Sequence, residues 1–257
     1  MKNLSSRIYT SIPLIILPSL SIFLGISYIY LIISLIFLAI FYEWNIFFIK
    51  KNKYLIFLLL FIIAILQLSF FFNTYIFYVI LFINILFIFY IFYKYDLNIL
   101  YIITSLYFFL SLISIFFFLN EVKNFSLLIL IFLSIILFDT ISYILGSIFK
   151  GFKIIPKISP QKTFSGYFFG LSFTLLIVFI LNKYFLFFIS NYFLLLFTTI
   201  ILFSAIIGDI IESLIKRKLQ IKDISNFLPG HGGFFDRFDS FLFVFITINI
   251  FYPFFIN

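Results

Sequence analysis

The 257-residue chain has no cysteine, one histidine, one tryptophan and one methionine. Without cysteine there is no disulfide, no thiolate nucleophile and no zinc–thiolate site, and the redox state of the compartment stays open. His231 alone excludes a multi-histidine metal centre. Charge is also scarce: 10% of residues are charged, against about 25% in soluble proteins. What fills the chain is apolar, 65% hydrophobic residues with 46 phenylalanines. A soluble fold of this length has too little interior to hide so much apolar side chain. The composition therefore predicts an all-α polytopic membrane protein, read as a single integral membrane domain over residues 1–257.

The few charges mark out the spans, since a helix needs about 20 apolar residues to cross the bilayer core. Nine spans are predicted. Two lie between Arg7 and Glu43, broken near Gly25, and two between Lys53 and Lys94, with Asn73-Thr74 at the turn. One runs from Asp96 to Glu121, another from Asn124 to about Leu145, then Lys162 to Lys183, Lys183 to Asp209, and a short one from about Ser240 to Ile256. Nine spans put alternate connections on opposite sides. One side then receives 15 of the 17 basic residues, and the other only Lys123 and Lys183. By the positive-inside rule the N-terminus and the basic loops are cytoplasmic. Lys2 and Arg7 precede an apolar run with no small-residue cleavage site behind it, which reads as an uncleaved first helix. Nucleic-acid binding would need a basic, aromatic-interleaved surface on a soluble module, and none is present. Homo-oligomerisation is left open.

No internal repeat or linker divides the chain, but its halves differ. Residues 1–123 read mainly as scaffold helices and 124–257 as the catalytic half. Eight of the nine glycines lie at or after Gly146, and seven of the nine acidic residues follow Asp96. Two loops, about 146–164 and 208–239, hold most of the chemistry. Asp209, Glu212, Ser213 and Lys216 fall at i, i+3, i+4 and i+7 and share one helical face. The same spacing also suits a solvated helix end with Glu–Lys pairing. Pro229, Gly230, Gly232 and Gly233 surround His231 in a turn able to present bare amides to phosphate oxygens. Asp236 and Asp239 follow three apart. With Asp209 they offer an all-oxygen donor set that suits Mg²⁺ bound together with a substrate phosphate. Pairing with Arg237 and nearby lysines is the other reading of these carboxylates, and a structural hydrogen bond the other reading of His231. In the shorter loop, Asp139, Ser142, Tyr143 and Gly146 share a face. An ionisable residue so near the membrane interior is a functional candidate. Ser159, Lys162 and Thr163 supply hydroxyl and ammonium donors, and Gly166 and Gly170 form a helix-packing pair.

Taken together, Ser213-x-x-Lys216-Arg217, Lys222-Asp223, Pro229-Gly-His231-Gly232-Gly233 and Asp236-Arg237-x-Asp239 resemble the C-terminal signature of the phosphatidate cytidylyltransferases, or CDP-diglyceride synthetases. Asp139-x-x-Ser-Tyr143 and Ser159-Pro160-x-Lys162-Thr163 resemble that family's other recurring blocks. Two positions depart from the pattern: Ser165 stands where the family usually has glutamate, and Gln161 where it usually has a basic residue. The resemblance implies CTP and phosphatidate as substrates, CDP-diacylglycerol and pyrophosphate as products, and Mg²⁺ as cofactor. It implies metal binding by Asp209, Asp236 and Asp239, with Lys216, Asp236, Arg237 and Asp239 as catalytic residues. Ser159, Lys162, Thr163, Ser213, Lys222, His231, Gly232 and Gly233 would then hold substrate. It also implies a bacterial cytoplasmic membrane location with a cytoplasmic active site. The same charged surface would serve a CTP-dependent lipid kinase or a cytidylyltransferase for another lipid phosphate. A transporter would instead want ionisable residues near the midplane of both halves and inverted repeats.

Overall fold

The computed structural model describes residues 24–49, 53–72, 74–121, 125–156, 158–159, 162–185, 190–228 and 232–256. They form nine helices: α1 (Ile26–Phe48), α2 (Lys53–Phe72), α3 (Thr74–Tyr95), α4 (Ile99–Glu121), α5 (Phe125–Phe149), α6 (Phe164–Phe185), α7 (Asn191–Lys218), α8 (Phe235–Phe251) and the short α9 (Pro253–Ile256). Among the described residues there is no strand, only two isolated bridges. The fold is all-α, as the apolar runs require, because a helix is the one open-ended structure that satisfies its own backbone in lipid. Hydroxyl side chains within the spans do likewise: Thr104 Oγ1 donates to the Leu100 carbonyl at 2.6 Å and Ser204 Oγ to that of Ile200 at 2.6 Å.

Six of these helices are long and apolar enough to cross a membrane, so the protein is a multi-pass membrane protein. The apolar stretch of α2, Tyr54–Phe70, and the 17-residue α8 are shorter, and the first expected span lies outside the described residues. Nine spans are therefore not all accounted for. A helix starts just after Gly25, at Ile26, and helices end at Phe72 and begin at Thr74; the expected turn at Asn73 and the span before Gly25 lie outside the described residues. Two boundaries differ. Helix α7 continues nine residues beyond Asp209 to Lys218, because its polar face is still helical in pattern, and α8 begins at Phe235 rather than near Ser240.

The chain divides into two compact units. The first gathers the described residues through Leu112 together with Ile221–Phe238. In it α2 packs against α1 and against α3. Gln67 Nε2 donates to the Ser34 carbonyl at 3.2 Å, and Tyr101 donates its hydroxyl to Asn45 Oδ1 at 2.8 Å. Trp44, Phe41, Phe108 and Phe235 form a cluster of edge-on rings, with centroids 5.6 Å apart for Trp44–Phe108 and 5.0 Å for Phe108–Phe235. Such contacts contribute about 0.5–1.5 kcal/mol each beyond simple burial. The second unit holds Ile113–Gln220 and Asp239 onward. There α5, α6 and α7 pack on one another. Helices α5 and α6 approach closely at Gly146 and Gly166, where an added Cβ at Gly166 would lie 2.7 Å from the Ser142 carbonyl oxygen. The helix-packing reading of the GxxxG pair holds. Rings of Phe132 and Phe241, and of Phe118 and Tyr252, tie α8 and its end to this unit.

Candidate active site

In the second unit the C-terminal end of α7 meets the 152–164 loop. That loop folds as a tight excursion: the Phe164 amide donates to the Phe152 carbonyl at 3.0 Å, and the Ile154 amide to that of Lys162 at 3.3 Å. Thr163 closes it by capping α6, its Oγ1 accepting from the Gly166 amide at 3.2 Å. Ser165 adds a clasp, its hydroxyl donating to the Lys150 carbonyl and to Thr163 Oγ1. Lys150 has φ 53, so the chain turns there in a left-handed conformation. The loop's cation, Lys162, forms an ion pair with Asp209 of α7. Arg217 Nε donates to the Ile158 carbonyl at 3.0 Å, a second bond between the end of α7 and this loop. Residues 146–164 and 208–217 thus come together as one surface.

Asp209, Glu212 and Asp239 converge within this surface. Each offers a carboxylate oxygen, and the three oxygens lie within 4.8 Å of one another. Gly208 makes the approach of Asp239 to α7 feasible, since an added Cβ would sit 2.9 Å from the Asp239 carbonyl oxygen and 3.2 Å from Ser240 Cα. Lys216 pairs with Glu212 one turn away on α7. Lys162 interacts with Asp239, Glu212 and Asp139 as well as with its Asp209 partner. Burial lowers the pKa of the Lys162 ammonium, and those carboxylates and the second cation, Lys216, modulate the effect. The three clustered carboxylates outnumber the two ammonium groups beside them, leaving an excess of negative charge in a half-buried place that a cation would relieve. An all-carboxylate donor set of this kind fits a hard divalent ion such as Mg²⁺. Glu212 is a candidate ligand that the spacing had placed on the right face but outside the expected metal set. Ser213 is half-buried beside it and Ser159 half-buried in the loop.

The glycine turn belongs to the first unit. The Leu228 amide donates to the Gly232 carbonyl at 2.8 Å, closing a loop whose tip, including His231, lies outside the described residues. Gly232 has φ 84, a conformation that disfavours any side chain. Asp236 Oδ2 accepts from the Gly233 amide at 2.8 Å and from the Ile224 amide at 3.2 Å. The Gly233 amide, expected to face a phosphate, is thus engaged by the protein's own carboxylate. Lys222 and Arg237 are exposed. A model of the cytidylyltransferase family matches residues 5–255. The chain belongs to the cytidylyltransferase family.

Among curated proteins, the phosphatidate cytidylyltransferase of Staphylococcus epidermidis is 40% identical over 119 residues, 46% of this chain and 46% of that protein. Those of Staphylococcus haemolyticus and Staphylococcus aureus are each 45% identical over 120 residues, with 46% of each chain covered. The matched stretch spans about half the length of these curated relatives.

One residue at the glycine turn escaped the motif reading altogether. Glu43 of α1 is 3% exposed, and its carboxylate accepts from Ser225, Phe234 and Phe235 around the glycine turn. The available signal was its isolation: it is the first acidic residue of the chain and stands inside an apolar run. A buried ionisable residue in a span marks function until a partner explains it.

Proposed function

We propose that the protein transfers a cytidylyl group from CTP to phosphatidate, giving CDP-diacylglycerol and pyrophosphate. A phosphate oxygen of phosphatidate attacks the α-phosphorus of CTP. The new P–O bond forms as the bond to the β-phosphate oxygen breaks, and pyrophosphate leaves with that electron pair. The nucleophile is already an anion, so no strong general base is required, and positioning and charge neutralisation carry the reaction. The observation that carries this reading is the cluster of Asp209, Glu212 and Asp239 beside Lys162 and Lys216. Polyphosphate chemistry needs that combination of cation ligands and phosphate-binding ammonium groups. The similarity to phosphatidate cytidylyltransferases points the same way.

Asp209, Glu212 and Asp239 would hold Mg²⁺, and the family resemblance adds Asp236 as a cation ligand. Bound there, Mg²⁺ supplies charge neutralisation for the triphosphate. Lys162, Lys216 and Arg237 hold phosphate oxygens, and an ammonium group released from Asp209 or Glu212 becomes available to the substrate. Ser159, Thr163 and Ser213 donate hydrogen bonds to substrate, and the family resemblance adds Lys222, His231 and Gly232 as substrate contacts. The acyl chains stay in the bilayer while CTP arrives from the cytoplasm, at the inner membrane of a bacterial cell.

The test is incubation of the purified protein with CTP, Mg²⁺ and phosphatidate, with mass spectrometry of the lipid. CDP-diacylglycerol with stoichiometric pyrophosphate is the expected product. A lipid that has gained a single phosphate would replace this reading with a CTP-dependent lipid kinase, and an unchanged lipid in an intact, folded preparation would remove it.

A further inference from the structure

Glu43 sits five residues before the end of α1, and each of its oxygens is used. Oε1 accepts from Ser225 Oγ at 2.9 Å and from the Phe234 amide at 2.9 Å. Oε2 accepts from the Phe235 amide at 3.2 Å. The two amides are the leading donors of α8, which have no carbonyl partner within their own helix. An anion at that end also meets the positive pole of the helix dipole. The next residue of α1, Trp44, rests its indole on the Phe235 ring, with centroids 6.0 Å apart. Adjacent residues of one helix thus grip the first turn of another by a charged contact and an apolar one.

The glycine turn has been shaped around this carboxylate. A Cβ at Gly233 would fall 2.6 Å from Glu43 Oε2 and 3.0 Å from Ser225 Oγ. Neither neighbour has room to yield easily, because Glu43 is tied by three hydrogen bonds in a buried site. On the other face of the turn, a Cβ at Gly232 would lie 2.9 Å from Asp236 Oδ2. The paired glycines are therefore explained by two carboxylates of the protein, Glu43 and Asp236, which hold the turn from either side.

We propose that Glu43 is a positioning residue for cytidylyl transfer: by binding the Phe234 and Phe235 amides and Ser225 it sets the glycine turn and the first turn of α8, and so the direction of Asp236 and Arg237. The assignment of a reaction to those two side chains rests on the function proposed above. Glu43 itself touches neither substrate nor cation. It acts through the backbone that carries them.

The experiment compares full-length Glu43→Ala, Glu43→Gln, Gly233→Ala and the Glu43→Ala/Gly233→Ala double variant with wild type in detergent. Two readouts are taken: hydrogen exchange of peptides covering residues 224–238, and kcat and KM for CTP and phosphatidate at several Mg²⁺ concentrations. In Glu43→Ala, exchange at Phe234 and Phe235 rises at least about tenfold while α6 and α7 keep wild-type protection, as a local opening does. Its kcat falls at least about tenfold. Glu43→Gln keeps one oxygen for Ser225 and Phe234 and recovers part of both losses. Gly233→Ala alone reproduces the loss, because its methyl displaces the carboxylate. In the Glu43→Ala background the same methyl adds little, so the two changes are strongly non-additive. Wild-type exchange at Phe234 and Phe235 in both Glu43 variants, additive losses in the double variant, or loosened exchange with undiminished kcat would each overturn the proposal. If Glu43→Ala does not fold, exchange and kcat in Glu43→Gln and Gly233→Ala decide between the same outcomes. Absence of turnover in wild type itself would count against the proposed function, and the exchange and non-additivity would then judge the grip of Glu43 on the turn separately.

Discussion

Asp236 shows how much one side chain is asked to do. Its Oδ2 holds the Gly233 and Ile224 amides, while the proposed chemistry asks the same carboxylate for a cation. Asparagine has a carbonyl oxygen for the two amides but no negative charge. Asp236→Asn is therefore expected to stay folded and to lose at least about 100-fold in turnover, with a raised Mg²⁺ requirement, the pattern of a weakened metal site. Turnover measured against Mg²⁺ concentration checks it, and wild-type dependence would remove Asp236 from the cation site. Gly232 poses a backbone question instead. With φ 84 and Asp236 Oδ2 2.9 Å from where a Cβ would be, Gly232→Ala meets both strain and collision. A loss of about 1–2 kcal/mol is expected from the left-handed conformation alone. Thermal unfolding in detergent measures it, and an unchanged midpoint would show that the turn relaxes to accept the methyl.

At the scale of elements, the close crossing at Gly208 decides whether α7 and α8 can share one cluster. The neighbours of an added Cβ at Gly208 are the Asp239 carbonyl oxygen at 2.9 Å, Phe243 Cβ at 3.0 Å and Ser240 Cα at 3.2 Å. Two of these are backbone, which moves only if the helix moves. Gly208→Ala should push α8 off α7 and separate Asp239 from Asp209 and Glu212. The expected result is at least about a tenfold loss of turnover, in line with the cost of small misplacements at a reacting centre. Gly208→Ala with full activity would show that the helices yield without disturbing the carboxylates. The loop before α6 rests on a smaller device. Ser165 donates to the Lys150 carbonyl, and Ser165→Ala should cost about 0.5–1.5 kcal/mol, the usual net worth of one such bond. Its effect should appear as faster proteolysis of the 150–165 loop rather than as global unfolding.

For the molecule as a whole, the charge distribution predicts sidedness. Fifteen of 17 basic residues fall on one side of the nine-span reading, and the site residues lie among them. The natural absence of cysteine makes this simple to test, because a single introduced thiol carries the whole signal. Asn226 is exposed in the 221–234 segment, so Asn226→Cys should resist an impermeant reagent in intact cells and react after lysis. Labelling from outside would invert the topology.

The sequence alone determined the helices and the chemistry of their ends. Each span is a local property: an apolar run bounded by charge must become a helix in lipid, so helices such as Ile99–Glu121 were legible. The shared face of Asp209, Glu212 and Lys216 was legible for the same reason, as helical spacing needs no neighbour. Partners were not legible. Whether Asp209 faces Lys162, whether Glu212 joins Asp209 and Asp239, and whether Glu43 reaches Phe234, 191 residues away, depend on which helices pack together and how closely. Those choices rest on contacts without a sequence period, such as the missing side chains at Gly208 and Gly233. A buried carboxylate gains stability only from donors that the tertiary structure brings to it, and so only the tertiary structure decided what Glu43 is for.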